Sequence, residues 1–265
     1  MKLVAFGDSW VFGDELGDMS NEYRNTFNIG GVINKHYKFE DYINYSVNGG
    51  SNDHIVSQLA YYLNSHLYNE TDVIIIGLTS PLRKLRFNNI SKTTTVWPGW
   101  DYNSFNNYCH ESLRDNSIFR EWWRLNLIVD VNQRNDAFHY FETCMSIKGL
   151  LTNHKKYIVW QSIDDEIYKI ENDFIELEAQ YDKIGFETAD YNTEIFDKAK
   201  VNKLLTKNLL ETQVWINITE PVWLSWLKTN FNRYDVLVPT SDHPNEYGNQ
   251  LWFDNILKKY LDKII

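Results

Sequence analysis

Four consecutive branched apolar residues, Val73-Ile74-Ile75-Ile76, constrain this chain more than any other stretch in it. A strand with one wet face alternates apolar and polar residues, so an unbroken run suits a strand covered on both faces, inside a parallel sheet flanked by helices. Shorter apolar runs at Leu3 to Phe6, Tyr42 to Val47 and Tyr157 to Trp160 read as its partners. Between the second and third of these strands, Ile55, Leu59, Leu63 and Leu67 recur every four residues behind the capping candidates Ser51 and Asn52, the pattern of an amphipathic crossover helix. Trp252, Ile256, Tyr260 and Ile264 repeat that spacing, with Lys258, Lys259 and Lys263 where a helix dipole is negative, and predict a closing helix. Strand, helix, strand alternation predicts an α/β protein with a doubly wound sheet.

Two stretches exceed a minimal sheet of this kind. Residues 84–135 are polar and aromatic, with Trp97-Pro98-Gly99-Trp100 and Trp122-Trp123, and read as an irregular insertion. Residues 165–235 form the second, in which Ile167, Ile170, Phe174, Leu177 and Tyr181 trace a narrow apolar helical stripe expected to pack on its own domain. The 265 residues, 43% hydrophobic, suffice for one large core, so 1–265 is read as a single domain with insertions. A formal net charge of −10 opposes binding to nucleic acid or to anionic membranes, and no apolar run approaches the roughly 20 residues that cross a bilayer. Two cysteines, Cys109 and Cys144, and an N-terminus without a signal-peptide pattern lead to the expectation of a cytoplasmic protein with free thiols. Oligomeric state is not legible.

The chemistry concentrates where the strands end. In an open parallel sheet, functional groups gather beyond the carboxyl ends of the strands. The first strand ends in Gly7-Asp8-Ser9, where the serine is either a helix cap or a nucleophile. The second runs into Asn44-Tyr45-Ser46-Val47-Asn48-Gly49-Gly50-Ser51-Asn52, whose paired glycines allow backbone N–H groups to approach a ligand. The third ends in Gly77-Leu78-Thr79-Ser80. Before the closing helix, Asp242-His243-Pro244-Asn245 supplies a histidine able to serve a strand-end serine as general base.

These blocks, in this order, resemble the SGNH/GDSL hydrolase superfamily: Gly7-Asp8-Ser9 the first, Asn44 with Gly49 the second, and His243-Pro244-Asn245 with Gly248 the last. The resemblance implies a three-layer α/β/α sandwich on a parallel, flavodoxin-like five-stranded sheet of order 2-1-3-4-5, here with aromatic-rich insertions. It also implies ester or related acyl-transfer chemistry without cofactor or metal. In it Ser9 is the nucleophile, His243 the base, and the N–H groups of Ser9 and Gly49 donate to the oxyanion.

Two positions depart from the family pattern. Thr79 stands where an Asn side chain usually donates to the oxyanion, leaving a shorter hydroxyl in that role. Thr240 stands where the orienting Asp usually precedes the histidine by three residues. Asp242 is the nearest acid, yet adjacent side chains of an extended segment point oppositely, so a dyad held by Asp242, a backbone carbonyl or a hydroxyl such as Thr240 remains open. Asp14 and Glu15 read as first-turn helix charge or as lining for the mouth of the site. His36, His54, His66, His110, His139 and His154 lack metal-ligand spacing, and no metal is expected. Asn52 is assigned with Trp97 and Trp100 to substrate binding, the tryptophans as a platform for sugar rings. The expected function is an esterase or acyltransferase acting on an O-acetylated carbohydrate. The alternative is a catalytically degenerate carbohydrate-binding or structural module.

Overall fold

The computed structural model of the protein describes residues 1–17, 20–80, 84–86, 94–96, 133–163 and 222–265. Its strands are β1 (Leu3–Gly7), β2 (Tyr42–Asn44), β3 (Val73–Leu78), β4 (Lys84–Arg86), β5 (Thr94–Val96) and β6 (Tyr157–Gln161). Its α-helices are α1 (Ser9–Phe12), α2 (Asn21–Phe27), α3 (Ile29–Tyr37), α4 (Asn52–Leu63), α5 (Gln133–Leu150), α6 (Trp223–Asn230), α7 (Arg233–Val236), α8 (Glu246–Trp252) and α9 (Lys258–Leu261).

Four parallel strands lie in the order β2-β1-β3-β6, the first four places of the predicted 2-1-3-4-5 sheet; a fifth is not among the described residues. Leu3 is level with Tyr42 and with Val73, and Gly7 with Gly77, so β1 and β3 end together. Every residue of β1 and β3 is buried, as the unbroken apolar run requires. Alternate side chains go to opposite faces. Leu3, Ala5, Val73, Ile75, Ile158 and Trp160 meet Ile29 and Ile33 of α3 and the C-terminal helix. Val4, Phe6, Ile74, Ile76 and Val159 meet Ile55 and Leu59 of α4 and Cys144 and Ile147 of α5. The result is helix, sheet, helix.

Three local features differ from the sequence expectation. The crossover helix begins where predicted, with the Ser51 hydroxyl accepting from the His54 N–H at 3.3 Å, but it ends at Leu63 and leaves Leu67 exposed. Residues 84–86 and 94–96 pair as an antiparallel ribbon inside what reads as an irregular insertion. The closing helix is broken by a π-helical turn, Phe253–Leu257, in which the Lys258 N–H reaches back to the Phe253 carbonyl. That turn holds one extra residue, so the buried set becomes Trp252, Phe253, Ile256, Leu257 and Leu261 in place of a strict fourfold spacing. Trp97, Trp100, Trp122, Trp123, Cys109 and the 167–181 stripe lie outside the described residues.

The Ser51 cap yields a stability prediction. Ser51→Ala strands the His54 N–H at the start of α4 and is expected to cost about 1 kcal/mol, read as a lower denaturant midpoint at unchanged m-value. Ser51→Asp, which restores the acceptor, recovers it.

Candidate active site

The site is built at the carboxyl ends of β1 and β3. A Cβ on Gly7 or on Gly77 would lie 2.4 Å from Val11 Cγ2, so glycine on both strands lets α1 sit directly against the sheet end. Asp8, fully buried, is the N-cap of α1, and its carboxylate accepts from the Trp10 N–H at 3.1 Å. Because Asp8 holds the capping position, Ser9 is left at the first helical residue. Its N–H has no acceptor within the helix, as first-turn geometry dictates, and its hydroxyl is not needed as a cap.

The histidine arrives from a separate, rigid corner. Leu237 and Pro244 form an antiparallel bridge, the Val238 N–H donates to the His243 carbonyl at 2.8 Å, and the Asn245 N–H donates to the Val236 carbonyl at 3.0 Å. Asn245 caps α8 by accepting from the Gly248 N–H at 2.8 Å. A Cβ on Gly248 would fall 2.2 Å from the Val236 oxygen, which is why that turn takes glycine. Thus His243, Asn245 and Gly248 act as one unit that presents the ring.

His243 Nε2 lies 2.8 Å from Ser9 Oγ, across 234 residues of chain. With the proton on Nδ1, Nε2 accepts from the serine hydroxyl, the arrangement a general base requires. Nδ1 in turn faces Ser241 Oγ at 3.0 Å and Glu15 Oε2 at 3.2 Å. Ser241 Oγ also accepts from the His243 backbone N–H at 3.2 Å.

Asp242, expected as the orienting acid, is turned away. Its carboxylate pairs with Lys228 and with Arg233, each at 3.2 Å, and among the described residues no hydrogen bond joins it to the ring. The backbone turns here, with the Ser241 N–H donating to the Val238 carbonyl at 3.1 Å, and the carboxylate leaves this turn toward the two cations. Thr240 is exposed and makes no bond to the ring either; the hydroxyl beside Nδ1 belongs to Ser241. Glu15 reads from the sequence as first-turn helix charge or as lining for the mouth of the site; α1 stops at Phe12 with Gly13 left-handed at its C-cap, so Glu15 falls in the turn that follows.

The oxyanion candidates divide. The Tyr45 N–H donates to the Ala5 carbonyl and the Val47 N–H to the Gly7 carbonyl, so the chain after β2 runs alongside β1 to its end. This carries the Asn48-Gly49-Gly50 turn to the end of β1: a Cβ on Gly50 would be 3.4 Å from the Gly7 oxygen. Gly49 is left-handed at φ 69°, and where a Cβ would stand it meets nothing beyond its chain neighbours among the described residues. Thr79 is fully buried, its hydroxyl has no partner among the described residues, and its N–H donates to Asn52 Oδ1 at 3.0 Å.

Asn52 returns that bond, donating from Nδ2 to the Thr79 carbonyl at 3.1 Å, and Gln161 Nε2 donates to the same carbonyl at 2.8 Å. Asn52, expected at the substrate, thus holds the end of β3 through both halves of its amide. A buried amide facing a backbone N–H and C=O is drawn to satisfy both. Beside the site, Trp10 lies 6.2 Å from the His243 ring.

No family model matches the chain, and no curated protein matches it. Among solved structures it is similar to a member of the lipolytic protein G-D-S-L family from Veillonella parvula, at 13% identity and TM-score 0.47 over 97% of this chain and 96% of that one. It is similar to TesA at 10% identity and TM-score 0.48 over the whole of both chains. It is similar to phospholipase A1 from Streptomyces albidoflavus at 9% identity and TM-score 0.41, over 100% of this chain and 99% of that one. At such distances these likenesses carry no residue roles and no substrate.

Proposed function

We propose that this chain is a serine hydrolase of the SGNH/GDSL type, cleaving an ester through an acyl-enzyme formed on Ser9. The observation that carries the reading is the 2.8 Å contact between Ser9 Oγ and His243 Nε2, made between the first residue of α1 and a separately braced turn 234 residues away. Asp8 supports it, because a serine displaced from the capping position keeps its hydroxyl for chemistry.

In the forward step, Ser9 Oγ attacks the ester carbonyl carbon while its proton passes to His243 Nε2. The C=O electron pair moves onto oxygen, for which the N–H groups of Ser9 and Gly49 are the proposed donors. Collapse of the tetrahedral intermediate breaks the bond to the alkoxy oxygen, which leaves as an alcohol with the proton from His243. Water then attacks the acyl-enzyme, giving its proton to Nε2, and the acid departs as Ser9 regains its hydrogen. The favoured substrate is an O-acetylated carbohydrate, a choice supported by Trp97, Trp100, Trp122 and Trp123 in the sequence.

Thr79 favours a second reading, a degenerate binding module, since its enclosed hydroxyl leaves the third oxyanion donor of the family pattern unsupplied. Losing one such donor costs about 2.7–4 kcal/mol of transition-state stabilisation, which slows an esterase without abolishing it. A fluorophosphonate probe separates the two. The expected result is a single adduct located on Ser9 by peptide mass spectrometry, formed far more slowly in His243→Ala. No adduct on Ser9 in the folded protein would leave the binding module standing.

A further inference from the structure

We infer that Glu15, carried on the nucleophile's own loop, is the carboxylate that orients His243, and that Asp242 has no part in it. This deepens the serine-hydrolase reading and rests on it. Two kinds of observation carry it.

The first is placement. If Nε2 is to accept from Ser9, Nδ1 must carry a proton, and among the described residues that proton has two acceptors in reach: Ser241 Oγ at 3.0 Å and Glu15 Oε2 at 3.2 Å. Only Glu15 brings negative charge. When the ring takes the serine proton it becomes a cation between Ser9 and Glu15, and a carboxylate on its far nitrogen stabilises that state and holds the tautomer. Ser241 closes the geometry from the other side, since its hydroxyl also receives the His243 backbone N–H at 3.2 Å.

The second is backbone strain. Glu15 has φ 62°, the left-handed region that glutamate adopts at a cost of order 1–3 kcal/mol. Lys38 shares this conformation at φ 56°, but it is the C-cap of α3, where a helix end calls for it. Glu15 caps nothing; the C-cap of α1 is Gly13, two residues earlier. Its neighbours pin the turn. Leu16 is buried, a Cβ on Gly13 would lie 2.7 Å from Asn28 Cβ, and a Cβ on Gly17 would fall 2.1 Å from the Tyr23 ring. Glycine serves both flanking left-handed positions, and at Glu15, where glycine would remove the strain, the chain carries the carboxylate that meets His243.

The inference separates Glu15 from Asp242, which spends its charge on Lys228 and Arg233. It makes Glu15 a positioning residue, since it touches the base and not the substrate.

The test compares Glu15→Gln, Glu15→Gly and Asp242→Asn in the full chain, with two readouts. One is steady-state hydrolysis of p-nitrophenyl acetate. The other is the far-downfield proton resonance of a histidine Nδ1–H bound to a carboxylate, which needs no turnover. In Glu15→Gln, kcat falls about 10²-fold with KM little changed, less than the ~10⁴ lost when a fully buried triad carboxylate is neutralised, because Glu15 is partly exposed. The downfield resonance moves upfield or disappears. Glu15→Gly loses the same activity while unfolding no more easily than the parent, which a merely structural residue would not do. Asp242→Asn keeps both kcat and the resonance. An unchanged kcat and resonance in Glu15→Gln, or loss of the resonance in Asp242→Asn, overturns the inference. A parent protein that neither hydrolyses esters nor takes the fluorophosphonate overturns the hydrolase reading, and the resonance still reports whether Glu15 holds the ring.

Discussion

Ser9→Ala leaves a folded protein whose ester hydrolysis is reduced by about 10⁴–10⁶-fold, the scale seen when a serine nucleophile is removed from an enzyme that otherwise keeps its binding and oxyanion groups. The residue is only 3% exposed, yet its loss is structurally mild. Its hydroxyl bonds to His243 Nε2, and the ring keeps Ser241 and Glu15 on its other nitrogen. The expected stability change is therefore about 0.5–1.5 kcal/mol, that of one hydrogen bond. The helix cap is untouched, because it belongs to Asp8. The measurement is hydrolysis of a small aryl ester by parent and variant at equal folded concentration, judged by circular dichroism. Turnover within a few-fold of the parent would remove Ser9 from the chemistry and with it the proposed function.

The largest stability effect is expected at Trp223→Ala. Trp223 is fully buried, stacked on Trp252 at 5.8 Å and 15°, and in T-shaped contact with Trp10 at 5.3 Å and Trp160 at 6.3 Å. It joins α6, the C-terminal helix, β6 and α1 at one point. Removing an indole from such a place takes away its transfer energy and leaves a cavity that four rigid elements cannot collapse, at a cost of about 3–5 kcal/mol. The readout is the denaturant midpoint at constant m-value, with Trp223→Phe expected to recover part of the loss. Because Trp10 follows Ser9 and lies 6.2 Å from the His243 ring, the variant that still folds should also show slower fluorophosphonate labelling. A midpoint within experimental error of the parent would mean that the aromatic cluster is not what joins the C-terminal part of the chain to the sheet.

Much of the fold is legible from local pattern because a strand's side-chain period is short and burial on both faces leaves no ambiguity about which residues are inside. Val73-Ile74-Ile75-Ile76 and Leu3 to Phe6 could only be interior strands, and Ser51 announces a helix start by chemistry that acts over three residues. The positions of Ser9, Gly49 and His243 at strand ends and turns follow from the same local signals. What the sequence could not decide is anything that depends on where a side chain points after the chain has turned. Asp242 is the acid nearest to His243 in the sequence, with its reach to the ring left open there, and in the fold its carboxylate leaves a turn toward Lys228 and Arg233. Glu15 is 228 residues from the ring it meets, and its direction is set by a left-handed turn between two glycines. Asn52 reads as a capping candidate and a substrate-binding group, and nothing local shows that both halves of its amide meet the end of β3. The π-helical turn at Phe253–Leu257 likewise has no local signature; one extra residue is admitted there because it brings Phe253, Leu257 and Leu261 onto the core. Local periodicity determined the layers and the order of the blocks. Only the packed structure decided which charge faces the histidine, because a side chain's direction depends on backbone torsions that distant contacts select.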